Sequence, residues 1–202
     1  MDTRLQRGGS SLSEEPPVTL KRHLWICGGI ALAAAAILLG MGRLPFCKCG
    51  VVGFWSGNIW SNQNSQQFTD PYSFTHVLHG VILYFVLWLV ADKRLSVGAR
   101  LVCAVGLEAG WEILENTDFI VNRYREATIS LDYYGDSVLN SMGDILAMAA
   151  GFALARKLPH RVTVIGAIAL DLLLLLWIRD SLAVNIIMLI HPIDAIRKWQ
   201  VR

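Results

Sequence analysis

Apolar residues in this chain fall into long runs that are nearly free of charge. They cover about His23 to Gly42, Ser73 to Ala91, Leu101 to Asn116, Ser137 to Ala155 and Val162 to Ile178. A sixth, about Ser181 to Ile196, is short and interrupted by Pro192. An α-helix rises about 1.5 Å per residue, so roughly 20 residues cross a hydrocarbon core of about 30 Å. The third and fifth runs sit near the short limit. The pattern predicts an all-α polytopic transmembrane helical bundle of six spans, with residues 23–202 as one domain. Ahead of it, Gly8-Gly9-Ser10-Ser11, Glu14-Glu15 and Pro16-Pro17 predict a flexible tail over residues 1–22.

A basic flank before an apolar run also fits a cleaved signal peptide. The length of the first run favours an uncleaved span, and Leu44-Pro45-Phe46-Cys47 lacks the small residue that precedes a lipidated cysteine. No internal repeat supports an inverted-repeat transporter.

Composition strengthens the membrane reading. Of the 202 residues, 54% are hydrophobic and 17% charged, where soluble domains carry about a quarter charged residues. Mean hydropathy is +0.45. A net charge of +2 and the lack of a basic stripe exclude nucleic acid as a partner. Thirteen Lys and Arg lie in the tail, the second-to-third loop, the fourth-to-fifth loop and the C-terminus, against five elsewhere (Arg43, Lys48, Arg123, Arg125, Arg179). Cytoplasmic loops collect these residues, so both termini are expected inside, in a bacterial inner membrane. Cys27 and Cys103 fall in apolar runs and are expected to pack there. Cys47 and Cys49 are too close in sequence for easy disulfide geometry and are expected as a reduced pair.

The expected topology gathers ionisable residues beneath one face. His76 and His79 open the second span, Glu108, Glu112 and Glu115 close the third, and Asp136, Asn140 and Asp144 open the fourth. Glu108, Glu112 and Glu115 stand at i, i+4 and i+7, one stripe of a helix. An embedded charge costs about 2.5–3.5 kcal/mol at a helix centre, while each Leu or Val returns about 0.3–0.6. Two glutamates therefore cancel about ten apolar residues, more than the third span holds. These side chains must meet partners or water rather than lipid.

Several chemistries fit such a cluster. His76, His79 and Glu112 could ligate a divalent metal ion, although the His-x-x-His pair lacks the glutamate of the zincin motif. His76, His79, Glu108, Glu112, Asp136 and Asp144 could act as catalytic acids and bases. The same groups could relay protons or hold an ion for transport, or simply fix helix packing through hydrogen bonds. Arg123 and Arg125, with Asn140, could hold an anionic substrate group, though headgroup anchoring fits the arginines equally. The aromatic loop from Arg43 to Tyr72 either lies at headgroup level or folds over the site. Asp171, inside the fifth span, needs a partner such as Asn185. Gly28, Gly29, Gly143 and Gly151 suit close helix packing. No phosphate-binding glycine loop, Gly-x-Ser-x-Gly elbow or dinucleotide fingerprint is present.

From about Gly42 to Gln200 the chain resembles an uncharacterised family of bacterial multi-pass inner-membrane proteins, the domain of unknown function 2585 or uncharacterised protein family 0314. The residues that carry the resemblance are Asn64-Ser65-Gln66, Thr69-Asp70, Tyr72-Ser73, His76, His79-Gly80, Trp111-Glu112 and Glu115-Asn116-Thr117. They continue with Arg123-Tyr124-Arg125, the run from Ala127 to Ser137, Ile178-Arg179-Asp180 and Asn185-Ile186. Gln63 and Pro71 stand where the family pattern has Glu and Trp. The resemblance implies fold and location without an activity. A fainter similarity, through an early-helix His, an acid in the next span and Asp136, Asn140 and Gly143, is to VanZ-like membrane proteins. Together these readings predict a polar site near the periplasmic leaflet that binds or processes an envelope or lipid-linked molecule. The alternatives are a small ion- or proton-coupled transporter and a non-catalytic scaffold.

Overall fold

The computed structural model describes residues 17–128 and 133–201. Its helices are α1 (Pro17–Gly40), α2 (Ser73–Ala91), α3 (Val97–Glu115), α4 (Asp118–Ala127), α5 (Val138–Lys157), α6 (His160–Ile178), α7 (Leu182–Ile190) and α8 (Asp194–Gln200). Among the described residues no strand forms beyond an isolated bridge between Trp55 and Thr69. Most of the expected tail lies outside the described residues, as does Asp132, but helix already begins at Pro17.

Capping chemistry marks the helix starts. The hydroxyls of Ser96, Thr117, Ser137 and Ser181 accept backbone N–H groups of Ala99, Ile120, Asn140 and Val184, satisfying donors that a helix N-terminus leaves free. α6 ends where Arg179 turns into the left-handed region, at φ 55°.

Among the described residues four helices are long and apolar enough to cross a membrane: α1, α2, α5 and α6. Large apolar side chains on their outer faces are exposed, among them Trp25, Leu32, Leu89, Ile165, Ile168 and Leu176. Such a belt belongs in hydrocarbon rather than water. α3 is as long as α2, but it carries Arg100, Glu108, Glu112 and Glu115.

The structure does not confirm a sixth span. Ser181 to Ile196 forms no single helix. Pro192 and its neighbours break it into α7, whose nine residues rise only about 14 Å, and the start of α8. The five long helices alternate in direction, so α6 finishes at the end of the bundle that bears α4. α7 and α8 stay there: Arg179 donates to the Trp199 carbonyl at 3.1 Å and Arg197 to that of Glu126 at 3.3 Å. The C-terminal helix thus sits at the opposite end from the start of α1, against the expectation of both termini on one side. A topology reporter fused after α8 is expected on the other side of the membrane from one fused before α1. The same side for both would contradict five crossings by the long helices.

α2 packs mainly on α5, and α1 on α3. The core between them is built from Val81, Tyr84, Val105, Ala109, Ile145, Met148 and Phe152. A Cβ added at Gly80 would meet the backbone of Met148 and Phe152, and one at Gly151 the backbone of Val77, inside 3.0 Å. Gly143 is pressed against the Phe68 carbonyl of the loop before α2 instead of another helix, and Gly28 and Gly29 have nothing within 4 Å. Of the four glycines expected at helix packing, only Gly151 serves it.

The loop from 43 to 72 is fastened over the start of α5. Ser137, Val138 and Leu139 donate their N–H groups to the carbonyls of Ser65, Leu44 and Pro45. Gln66 is fully buried and bridges to the Gly135 carbonyl at 2.9 Å. Asp70 accepts the N–H groups of Ser65 and Tyr72, both at 2.7 Å, so it shapes the loop. Within this loop Cys47 and Cys49 form a disulfide with Cα atoms 5.2 Å apart. A tight turn closing on Gly50, at φ +75°, brings the cysteines together, correcting the reduced pair read from their spacing.

Candidate functional site

Two helix stripes meet where α2 faces α3. His76 and His79, one turn apart on α2, point at Glu108 on α3. His76 Nδ1 lies 2.6 Å from Glu108 Oε1, and His79 Nδ1 lies 3.1 and 3.2 Å from its two oxygens. One carboxylate thus holds two imidazoles. One turn further along α3, Glu112 Oε1 approaches His76 Nδ1 at 3.4 Å, yet neither Glu112 oxygen has a hydrogen bond and the residue is 0% exposed. From α5, Asp144 faces the other imidazole nitrogen of His76 at 3.8 Å and accepts the Ser73 hydroxyl at 2.6 Å.

Around this knot lies a cavity of about 380 Å³. Its polar wall includes His76, His79, Glu108, Glu115, Asp136, Asn140, Asp144 and Asp180. Among the described residues no Lys or Arg lines it. Asp136 is clamped by the Tyr133 hydroxyl at 2.9 Å and the Asn116 amide at 3.0 Å. Burial, then the charges of Glu115 and Asp144, push its carboxyl well above the usual carboxylate range. Asn140 donates to the Gln67 carbonyl at 3.0 Å, tying the loop to the same wall. The opposite rim is apolar: Ile82, Leu83, Leu107, Trp111, Leu182, Ile186 and Leu189. Leu107, Ile82 and Ile186 are 57%, 49% and 47% exposed, so the cavity is open on the side where they stand.

The structure therefore brings together His76, His79, Glu108, Glu112 and Asp144, with Asp136 and Asn140 on the same cavity. Arg123 and Arg125 are placed elsewhere. Arg123 donates to the carbonyls of Leu189 at 2.8 Å and Ile190 at 3.2 Å, closing the C-terminus of α7. Arg125 donates to the Tyr133 carbonyl from an exposed position. Asp171 is met by the Leu182 N–H at 2.9 Å instead of Asn185. The Tyr124 hydroxyl shares its one proton between Glu115 Oε1 at 2.8 Å and Asn185 Oδ1 at 3.2 Å.

Sequence reasoning assigned no site role to Tyr72, Tyr124, Tyr133 and Asp180, and gave Glu115 only a place in the stripe. Asp180 accepts the Ser181 N–H at 2.9 Å and the Tyr72 hydroxyl at 3.2 Å. Burial raises its carboxyl from 3.8 to about 6, against the pull of those hydrogen bonds. The folded chain holds this proton more tightly than the unfolded one. Its stabilising effect is full below about pH 4 and is lost as pH rises through 6. Asp180→Asn is expected to flatten the fall in melting temperature between those limits, read from thermal unfolding in detergent across pH. An unchanged slope would assign the fall to other groups.

Donor sets for a metal ion are also present. The ligand atoms of His76, His79 and Glu108 lie within 4.8 Å of one another, as do those of His76, Glu112 and Glu115.

Helices apolar enough for a bilayer, enclosing a histidine–carboxylate cavity at one end of the bundle, define an all-helical membrane protein with a buried polar site. The chain belongs to the family described as "Protein of unknown function (DUF2585)", which matches residues 38–202. It is 50% identical over 176 residues to a "UPF0314 protein" of Paracoccus denitrificans, covering 87% of this chain and 91% of that one. With a UPF0314 protein of Sphingopyxis alaskensis the identity is 48% over 183 residues, covering 90% and 96%. With one of Brucella anthropi it is 41% over 196 residues, covering 95% and 98%. No solved structure matches the chain.

Proposed function

We propose that this is a multi-pass protein of the bacterial inner membrane that binds a lipid-linked amphiphile at the periplasmic leaflet. The observation that carries the reading is the two-sided cavity, polar at the histidine–carboxylate wall and apolar at the exposed rim of Ile82, Leu107 and Ile186. A head group would settle on the polar wall while its hydrocarbon chain leaves between α2, α3 and α7 into the bilayer. Orientation has two supports. Basic residues in the α2–α3 and α5–α6 turns favour the cytoplasm for that end. The Cys47–Cys49 disulfide, at the other end, suits an oxidising compartment.

The site also suits proton handling. His79 stands on the cavity wall with Nδ1 oriented by Glu108, as a general base is held by a third group. Transport is less well supported. Toward the other end of the bundle the apolar cluster of Tyr84, Ala104, Val105, Met148 and Phe152 fills the core.

Lipid extraction of protein purified in mild detergent tests the reading. About one amphiphile per chain is expected, lost in Ile186→Trp, which sets an indole across the mouth, at an unchanged melting temperature. Equal lipid in the two proteins would overturn it.

A further inference from the structure

We propose that the end of the cluster nearest the C-terminus of α3 is a divalent metal site whose ligands are His76, Glu112 and Glu115. The inference starts from Glu112. Its carboxylate is fully buried among helices, and neither oxygen accepts a hydrogen bond. A buried carboxylate without a hydrogen bond is among the costliest groups a fold can hold. The nearest candidate cation, His76, is already committed, its Nδ1 lying 2.6 Å from Glu108 and 3.4 Å from Glu112. The neighbouring carboxylates each have a hydrogen-bonding donor: Glu108 the two imidazoles, Asp144 Ser73, Asp136 Tyr133 and Asn116, Glu115 Tyr124.

The donor geometry fits an ion. The ligand atoms of His76, Glu112 and Glu115 all lie within 4.8 Å of one another. Donors about 2.0–2.1 Å from a tetrahedral ion stand about 3.3 Å apart, and the His76–Glu112 separation is 3.4 Å. Glu115 is oriented by the Tyr124 hydroxyl, and Tyr124 in turn by Asn185, the kind of outer support that ligating carboxylates receive. To ligate an ion through Nδ1, His76 would turn from Glu108 toward Glu112. Glu108 keeps His79 as partner. One imidazole with two carboxylates is a donor set for a first-row divalent ion such as zinc or manganese.

The other trio, His76, His79 and Glu108, already satisfies its own donors and acceptors and asks for no ion. The site needs no amphiphile. One consequence does rest on the amphiphile reading: in a cavity without Lys or Arg among the described residues, the ion supplies the positive charge that a phosphate head group would meet.

Cobalt is the probe, because its visible absorption reports ligand geometry. Full-length protein in detergent, stripped with a chelator, is titrated with Co²⁺ alone. One ion per chain with d–d bands is expected, together with a rise in melting temperature. Affinity should fall by at least ~100-fold in Glu112→Gln and in Glu115→Gln, and hold within ~10-fold in Arg125→Ala. Two glutamate variants guard against one of them failing to fold, checked by the melting temperature of the stripped protein. Absence of the bands, or bands that persist in whichever glutamate variants fold, would overturn the site. Lipid retention measured on the same preparations is an independent readout, so either proposal can fail alone.

Discussion

Gly80→Ala and Gly151→Ala should each lower the melting temperature by about 10 °C or more. At both positions the added methyl meets the backbone of the facing helix, and no rotamer can carry backbone aside. α2 and α5 would have to separate, loosening Val81, Tyr84, Met148 and Phe152 together. Overpacking of a tight core costs about 1–3 kcal/mol and occasionally more, and the rigidity of both partners places these changes at the upper end. At this chain length each kcal/mol shifts the midpoint by about 2–4 °C. Gly28→Ala and Gly29→Ala supply the contrast. With nothing within 4 Å, alanine there should leave stability unchanged or raise it by up to about 1 kcal/mol through helix propensity. Equal effects at all four positions would mean that α2 and α5 do not touch as described.

The second large effect is expected for Glu108→Ala. This single side chain is the acceptor for Nδ1 of both His76 and His79, and all three lie where little water reaches. Removing one partner of a buried pair costs about 3–5 kcal/mol, because the other is left uncompensated. Glu108→Gln should cost less, since an amide oxygen still accepts one imidazole N–H. Arg125→Ala, at an exposed position, should stay within about 0.5 kcal/mol. Thermal unfolding of the three variants in one detergent decides the ranking. A Glu108→Ala protein as stable as Arg125→Ala would contradict the shared carboxylate.

Much of this was legible in the chain because hydrocarbon constrains a sequence so strongly. The apolar run from Ser73 to Ala91 is α2 to the residue. The stripes of His76 and His79 and of Glu108 and Glu112 meet because polar groups at one depth have each other as their best partners. What sequence could not reach depends on chain paths. Tyr124 was hidden between two arginines that drew attention as anion binders, and only the placement of α4 beside α7 turns its hydroxyl to Glu115 and Asn185. Asp180 reads as a loop acid until the end of α6 returns beside Tyr72. The last apolar stretch showed its break at Pro192 in the sequence, but not that α7 and α8 on either side of it stay at the same end of the bundle. Gly80 carried no sign of its role, since a packing glycine and a tolerated one look alike without the facing helix.

The convergence of α2 and α3 side chains is tested most directly by a double-mutant cycle on His76→Ala and Glu108→Ala. Residues in contact couple by about 0.5–3 kcal/mol, whereas separated ones add within about 0.5. With the two groups 2.6 Å apart, a coupling of about 1 kcal/mol or more is expected, the double variant being less destabilised than the sum of the singles. Strict additivity would contradict it, and with it any shared site in this bundle.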